Sequence, residues 1–170
     1  VIHRLVGVAC EAMAQSRLTT LSTNLNVTEA KEIIRALEKL ELETVAWPEI
    51  YDNERRFIRE SFRQTGNPLA LVHSWWSLRN MLKKAEAMNL KKIAQRRLLL
   101  VELAVRSHTS THGKPPAQLN ELKPELLATV PPDPFTGRAF AYQLKDSGWL
   151  LYSLDANRTD DGGPSLRQPA

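Results

Sequence analysis

Pro131-Pro132-Asp133-Pro134-Phe135-Thr136-Gly137 reads as a proline-bounded turn. Proline fixes φ and glycine accepts the left-handed region, so the chain reverses here instead of extending a helix. Beyond it the hydrophobic period becomes two. Phe140, Tyr142 and Leu144 alternate with Ala139, Ala141 and Gln143. Asp146-Ser147-Gly148 turns the chain, and Leu150, Tyr152 and Leu154 alternate with Trp149, Leu151 and Ser153 on the return. The pattern predicts a β-hairpin over about 138–154. A two-stranded ribbon is marginal in water, so it must lie on an apolar surface.

Residues 90–112 supply that surface. Ile93, Leu100, Val101 and Ala104 recur along one side of a long helix, and Leu99, Leu103 and Val105 widen the stripe. Gly113 ends it, because a glycine just past the last turn takes the left-handed cap conformation at no steric cost. Pro115 and Pro116 then open a short turn in which Leu119 and Leu122 point the same way. Leu126, Leu127 and Val130 follow beyond Pro124.

The upstream half is helical by pattern. Ile2, Leu5, Val6, Ala9 and Met13 recur at helical spacing. A second helix starts near Asn26, which forms a capping-box pair with Glu29, and its buried face is marked by Ile33, Ile34, Leu37 and Leu40. Pro48 suits the first turn of a third, with Ile50, Phe57, Ile58 and Phe62 facing inward. Its Arg55, Arg59 and Arg63 line up four apart on the other side as a phosphate-contacting stripe would, but Asp52 and Glu60 each sit four residues from Arg56, so both signs are interspersed and a solvated face is the better reading. Thr65-Gly66-Asn67-Pro68 is the clearest internal break and places a boundary between a helical region, 1–66, and a C-terminal module, 67–170. Leu71, Val72, Trp75, Leu78, Met81 and Leu82 define one more helix, with Trp75 and Trp76 as core or helix-contact residues.

Composition narrows the functional classes. The 23 basic and 19 acidic residues leave a net charge of +4, with the bases interspersed, which argues against nucleic acid as the partner. No run approaches the roughly 18 apolar residues that span a bilayer. Cys10 stands alone, so neither an intrachain disulfide nor a multi-cysteine zinc site can form. The chain opens on Val1, so we expect a fragment or processed product with any signal or anchor upstream.

Motifs for catalysis are sparse. There is no nucleophile elbow and no phosphate-cradling glycine loop. His108 and His112 lie four apart on the long helix, but Thr109 stands where a zinc protease needs its glutamate, so the pair reads as surface or capping histidines. The cluster with the most definite chemistry is Asp155, Asn157, Asp160 and Asp161, with Thr159 among them and Gly162-Gly163 behind. Such oxygen donors suit calcium, which takes mixed side-chain and main-chain ligands in flexible geometry. An EF-hand is excluded, because Asp160 replaces its glycine and Leu166 its bidentate glutamate. Without a metal, the same residues would form a surface turn bonded to its own backbone.

Taken together, His112-Gly113, Lys114-Pro115-Pro116-Ala117-Gln118-Leu119-Asn120-Glu121-Leu122, Val130-Pro131-Pro132-Asp133-Pro134-Phe135-Thr136-Gly137, Tyr142, Leu151-Tyr152-Ser153 and Asp160-Asp161-Gly162-Gly163 resemble the C-terminal part of type II secretion major pseudopilins. They resemble still more the pilin-type modules at the ends of large uncharacterised envelope proteins of planctomycete-type bacteria. The likeness covers roughly 90–163. Two positions depart from it: Pro115 replaces the aromatic that usually precedes the proline, and Asp155 stands where a glycine is common.

The resemblance implies a helix packed on a small antiparallel sheet, an extracytoplasmic or periplasmic location, and a membrane segment in the full protein. It also implies a calcium-stabilised loop over 154–163, with Asp160 and Asp161 as side-chain ligands and the Leu154 carbonyl as a backbone donor. Some 90 residues of amphipathic helix precede the module, unlike a pilus subunit, so it reads as a fused domain.

The expected fold is α+β and predominantly helical: an N-terminal helical layer, then a long helix on a small antiparallel hairpin, pseudopilin-like. The expected function is a non-enzymatic structural or interaction protein with an envelope protein partner or self-association. Its metal ligands would be Leu154, Asp155, Asn157, Asp160 and Asp161, and its ion calcium. A helical binding module for an anionic partner, using Lys91, Lys92, Arg96 and Arg97, is the alternative. A hydrolase whose site is assembled only in the fold is the third.

Overall fold

The computed structural model describes residues 25–43, 49, 52–53, 55–56, 59–60, 68–146 and 148–154, excluding the side chains of 43, 68–78 and 81. Helix α1 is Val27–Glu43, helix α2 is Pro68–His112, a 3₁₀ turn spans Leu119–Leu122, and strands β1, Ala141–Lys145, and β2, Gly148–Tyr152, pair antiparallel. The fold is α+β and mostly helical, with α2 packed against the two-stranded sheet.

α1 begins on the expected capping box. Asn26 Oδ1 accepts the Glu29 N–H at 2.9 Å, and Glu29 Oε2 accepts the Asn26 N–H at 3.0 Å, so two amide donors that the helix cannot use are satisfied reciprocally. Ala30, Ile34 and Leu37 are buried, and Ile33 packs beside them. Leu40 differs from expectation, being 41% exposed. The inward line Ala30, Ile34, Leu37 continues by one turn to Glu41, which meets cations on α2.

α2 is a single helix of 45 residues where two were expected, over about 71–82 and about 90–112. The connecting Lys83, Lys84, Ala85, Glu86, Ala87 and Met88 are all strong helix formers, and nothing between them breaks the ladder. Pro68 supplies the first helical residue, where its missing N–H costs nothing. At the other end Gly113 has φ 73° and donates its N–H to the Thr109 carbonyl at 2.8 Å, the predicted left-handed cap.

One apolar cluster joins the elements. Ile34 and Leu37 of α1 meet Leu99, Leu100, Val101, Leu103, Ala104 and Val105 of α2, and the cluster extends through Leu119, Leu122, Leu126 and Leu127 to Phe140 and Leu151. Leu119 and Leu122 face the same way because residues three apart eclipse in a 3₁₀ turn. A fully buried leucine or phenylalanine is worth about 2 kcal/mol, so Phe140 and Leu151 give the hairpin the support that it lacks alone.

The register pairs Tyr142 with Leu151 and Leu144 with Trp149, and its last pair at the turn is Lys145 with Gly148. Directly opposed residues share a face. The core-facing set is therefore Phe140, Tyr142, Trp149 and Leu151, whereas Leu150 and Tyr152 lie on the other side. Tyr152 is buried there as well, at 2% exposure. Period two alone does not reveal which set of each strand faces inward when both contain large apolar residues.

The calls on 1–24, on Ile50, Phe57, Ile58 and Phe62, on Arg63, and on the Trp75 and Trp76 side chains lie outside the described residues. Asp52, Arg55, Arg59 and Glu60 are helical and exposed, as a solvated face requires.

Glu41 docks α1 through charge as well as apolar contact. Its Oε2 accepts from Arg96 Nε at 3.0 Å and from Arg96 Nη2, and its Oε1 accepts from Arg97 Nε at 2.7 Å and from Arg97 Nη2. The Arg96 side chain is only 5% exposed. Removing one partner of such a pair strands the other's charge, so Glu41→Ala should destabilise the fold by about 2–3 kcal/mol in urea unfolding. Leu42→Ala, on a residue 88% exposed, should change it by less than about 0.5 kcal/mol. The reverse order would refute the role of Glu41.

Candidate functional site

The acidic loop proposed as a cation site leaves the end of β2, and the structure shows how that departure point is held. Asp133, in the turn before the hairpin, is 1% exposed. Its Oδ1 accepts the Phe135 N–H at 2.9 Å. Its Oδ2 accepts the Ser153 hydroxyl at 2.8 Å and the Leu154 N–H at 3.1 Å. A buried carboxylate costs several kcal/mol unless its charge is met by donors, and here three donors converge on it.

Local sequence sets the carboxylate's aim. Pro134 fixes the turn just after Asp133, whose carbonyl accepts from Thr136 N–H at 3.3 Å and from Gly137 N–H at 2.8 Å. Gly137 takes φ 70°, a region open to glycine at little cost. The chain then returns so that Asp133 N–H meets the Arg138 carbonyl at 2.7 Å. The turn closed on its own backbone presents one carboxylate to the outgoing end of β2, 20 residues later in sequence.

Arg97 ties this turn to the helices. Beyond its bonds to Glu41, its Nη1 donates to the Pro132 carbonyl at 2.8 Å. Glu41, Arg97, Pro132, Asp133 and Ser153 thus form one polar line from α1 to the end of β2. Arg96 and Arg97, expected as contacts for an anionic partner, already hold a carboxylate of the same chain. Of that set only Lys91 is exposed, while Lys92 is half-buried.

A second polar group fixes the hairpin's base. Tyr142 Oη donates to the Pro116 carbonyl at 2.8 Å. Its ring lies tilted against Trp149 with centroids 6.5 Å apart. Arg106, held by Glu102 at 2.9 Å, sits 6.0 Å from the Trp149 ring centroid. Burial, and then the negative charge of Glu121, push the Tyr142 phenol above its ordinary 10.0.

Of the predicted metal ligands, Leu154 is described: its amide is pinned to Asp133 and its side chain is half-buried. Asp155, Asn157, Asp160 and Asp161 lie outside the described residues. Among the described residues no group of three or more histidine, cysteine, aspartate or glutamate side chains is placed to hold a metal. No helix among them is long and apolar enough to cross a membrane. His108 and His112 do cap the helix, each ring bonding a main-chain carbonyl near its C-terminal end.

No protein-family model, curated protein or solved structure matches this chain.

Asp133 is the residue that the reading of the acidic loop missed. Its signal was present as an aspartate between prolines in a turn, but its long-range partners carry no local signature.

Two outcomes follow from this geometry. Asp133→Asn turns an amide N–H₂ toward N–H or O–H donors and should cost about 2–4 kcal/mol, against about 1 kcal/mol for Ser153→Ala, in denaturant unfolding. Equal effects would refute the convergence on Asp133. Because folding raises the Tyr142 pKa, its contribution is fully present below the unfolded value of about 10 and is lost as pH rises through the folded value. Tyr142→Phe should therefore lose less stability than the unsubstituted protein above about pH 10. Parallel stability curves for the two would contradict this.

Proposed function

We propose that this chain is a non-catalytic structural and interaction unit of the cell envelope, pseudopilin-like over roughly 90–163, whose acidic loop is fastened by calcium. The observation that carries the reading is the Asp133 clamp. A loop needs a fixed stem if a bound ion is to hold its ends, and Ser153 and Leu154 are fixed by Asp133 where the loop departs.

The donor set fits the ion. Asp155, Asn157, Asp160 and Asp161 offer hard oxygens, and Leu154 offers a backbone carbonyl at a stem of fixed position. Asp133 would act beside the ion and not on it, since both its oxygens are engaged with protein donors. The ion would neutralise the crowded carboxylates and close the loop. An envelope protein, or a second copy of the chain, would be the partner, and anchoring would come from a segment outside this sequence.

Calcium at 100 times its dissociation constant adds about 2.7 kcal/mol, which for a chain of this size raises the melting temperature by about 5–10 °C. A calcium chelator should reverse the rise, and Asp160→Asn with Asp161→Asn should abolish it. An unchanged melting curve in saturating calcium would remove the metal from this reading.

A further inference from the structure

The end of α2 carries two histidines whose ring nitrogens are already sorted. Gly113, at φ 73°, reverses the chain and returns the Lys114 carbonyl to the helix. His108 Nδ1 lies 3.2 Å from that oxygen, and His112 Nδ1 lies 3.1 Å from the His108 carbonyl. A carbonyl can only accept, so both Nδ1 atoms carry the proton. In the neutral rings both Nε2 atoms then hold the free lone pair. The rings are stacked, with centroids 4.1 Å apart and planes 19° from parallel.

These are the features that prepare histidine to bind a metal. A ligating imidazole nearly always donates its other ring N–H to a carbonyl or carboxylate, which fixes the tautomer and raises the basicity of the ligating nitrogen. Here the backbone provides that for both rings. The i, i+4 spacing puts them on one face, one turn apart. Two nitrogens about 2.0 Å from a metal lie roughly 2.8 Å apart at a square-planar cis angle and roughly 3.3–3.4 Å apart at a tetrahedral one, so the rings, now 19° from parallel, must turn about their side-chain bonds for both Nε2 lone pairs to converge on one ion. Neighbouring hydroxyls do not interfere, because Thr109 and Thr111 donate to the Val105 and Ser107 carbonyls.

We infer that His108 and His112 form a two-ligand site for a borderline divalent transition-metal ion, with copper(II) bound most tightly and nickel(II) and zinc(II) less so, water filling the remaining positions. Imidazole pairs favour these ions over calcium and magnesium, and copper leads the divalent series. The site is thus chemically distinct from the all-oxygen loop, and its test is independent of calcium.

The test is a titration with copper(II), at mildly alkaline pH, of the purified chain with its amino terminus acetylated, so that Val1, Ile2 and His3 cannot form an amino-terminal copper site through a free amine. One ion per chain should bind with high affinity, and calcium should not compete. His108→Ala and His112→Ala should each weaken binding at least tenfold, since each removes the chelate, whereas His3→Ala and His73→Ala should change it less than twofold. Affinity retained within twofold in both His108→Ala and His112→Ala would overturn the inference. A second measurement uses the unsubstituted protein. Substoichiometric copper(II) should broaden the imidazole NMR signals of His108 and His112 before those of His3 and His73, and the opposite order would overturn the inference as well.

Discussion

The Asp133 carboxylate is a charge placed where water does not reach, and such a group is tolerated only if donors surround it. Its three donors come from the turn that it begins and from the far end of the hairpin. The turn and the hairpin must therefore adopt their native geometry together, because either alone leaves the carboxylate or its donors unmet. A local motif thereby becomes a constraint on register. A slip of one residue in β2 would carry Ser153 and Leu154 away from Asp133 and move Leu151 off the apolar face.

The same constraint reaches the helices through Arg97. Its guanidinium spans Glu41 on α1 and the Pro132 carbonyl beside Asp133, using the planar fork that a lysine lacks. Arg96 and Arg97 would repel each other without Glu41 between them, so the two cations and one carboxylate are understood only as a group. Glu38 adds a weaker link, accepting the Ala128 N–H at 2.9 Å, and Lys31 meets Glu125 at 3.4 Å. The apolar cluster brings α1 to α2, and these directional contacts fix how far along α2 it sits.

What the sequence revealed was local. The Asn26 and Glu29 box, the Gly113 cap, the paired leucines of the 3₁₀ turn and the existence of the hairpin each depend on residues within a few positions of one another. What stayed hidden depends on tertiary partners. Leu40 satisfies the helical period as well as any core residue, yet the inward position goes to Glu41 because two arginines wait 55 and 56 residues later. Those arginines looked like a basic surface because their partner lies on another helix. The inward faces of the strands were ambiguous, since Leu150 and Tyr152 are as apolar as Trp149 and Leu151. The acidic cluster after Leu154 lies outside the described residues, and the anchoring of Ser153 and Leu154 just before it was hidden because the residue that holds them precedes the whole hairpin.

Among the described residues, the side-chain hydrogen bonds that clamp the hairpin lie toward one end. Tyr142 to Pro116 and Asp133 to Ser153 both act near the open end, where β1 begins and β2 finishes. Toward the turn the polar clamps cease: Leu144 is half-exposed, and Gln143, Lys145 and Asp146 are exposed. Burial and polar links are concentrated where β2 ends, from Leu151 to Leu154. A sheet held in this way resists displacement of its open end more than displacement of its tip. The end of β2 is therefore the demanding part of the hairpin, and the exposed tip is left tolerant of substitution.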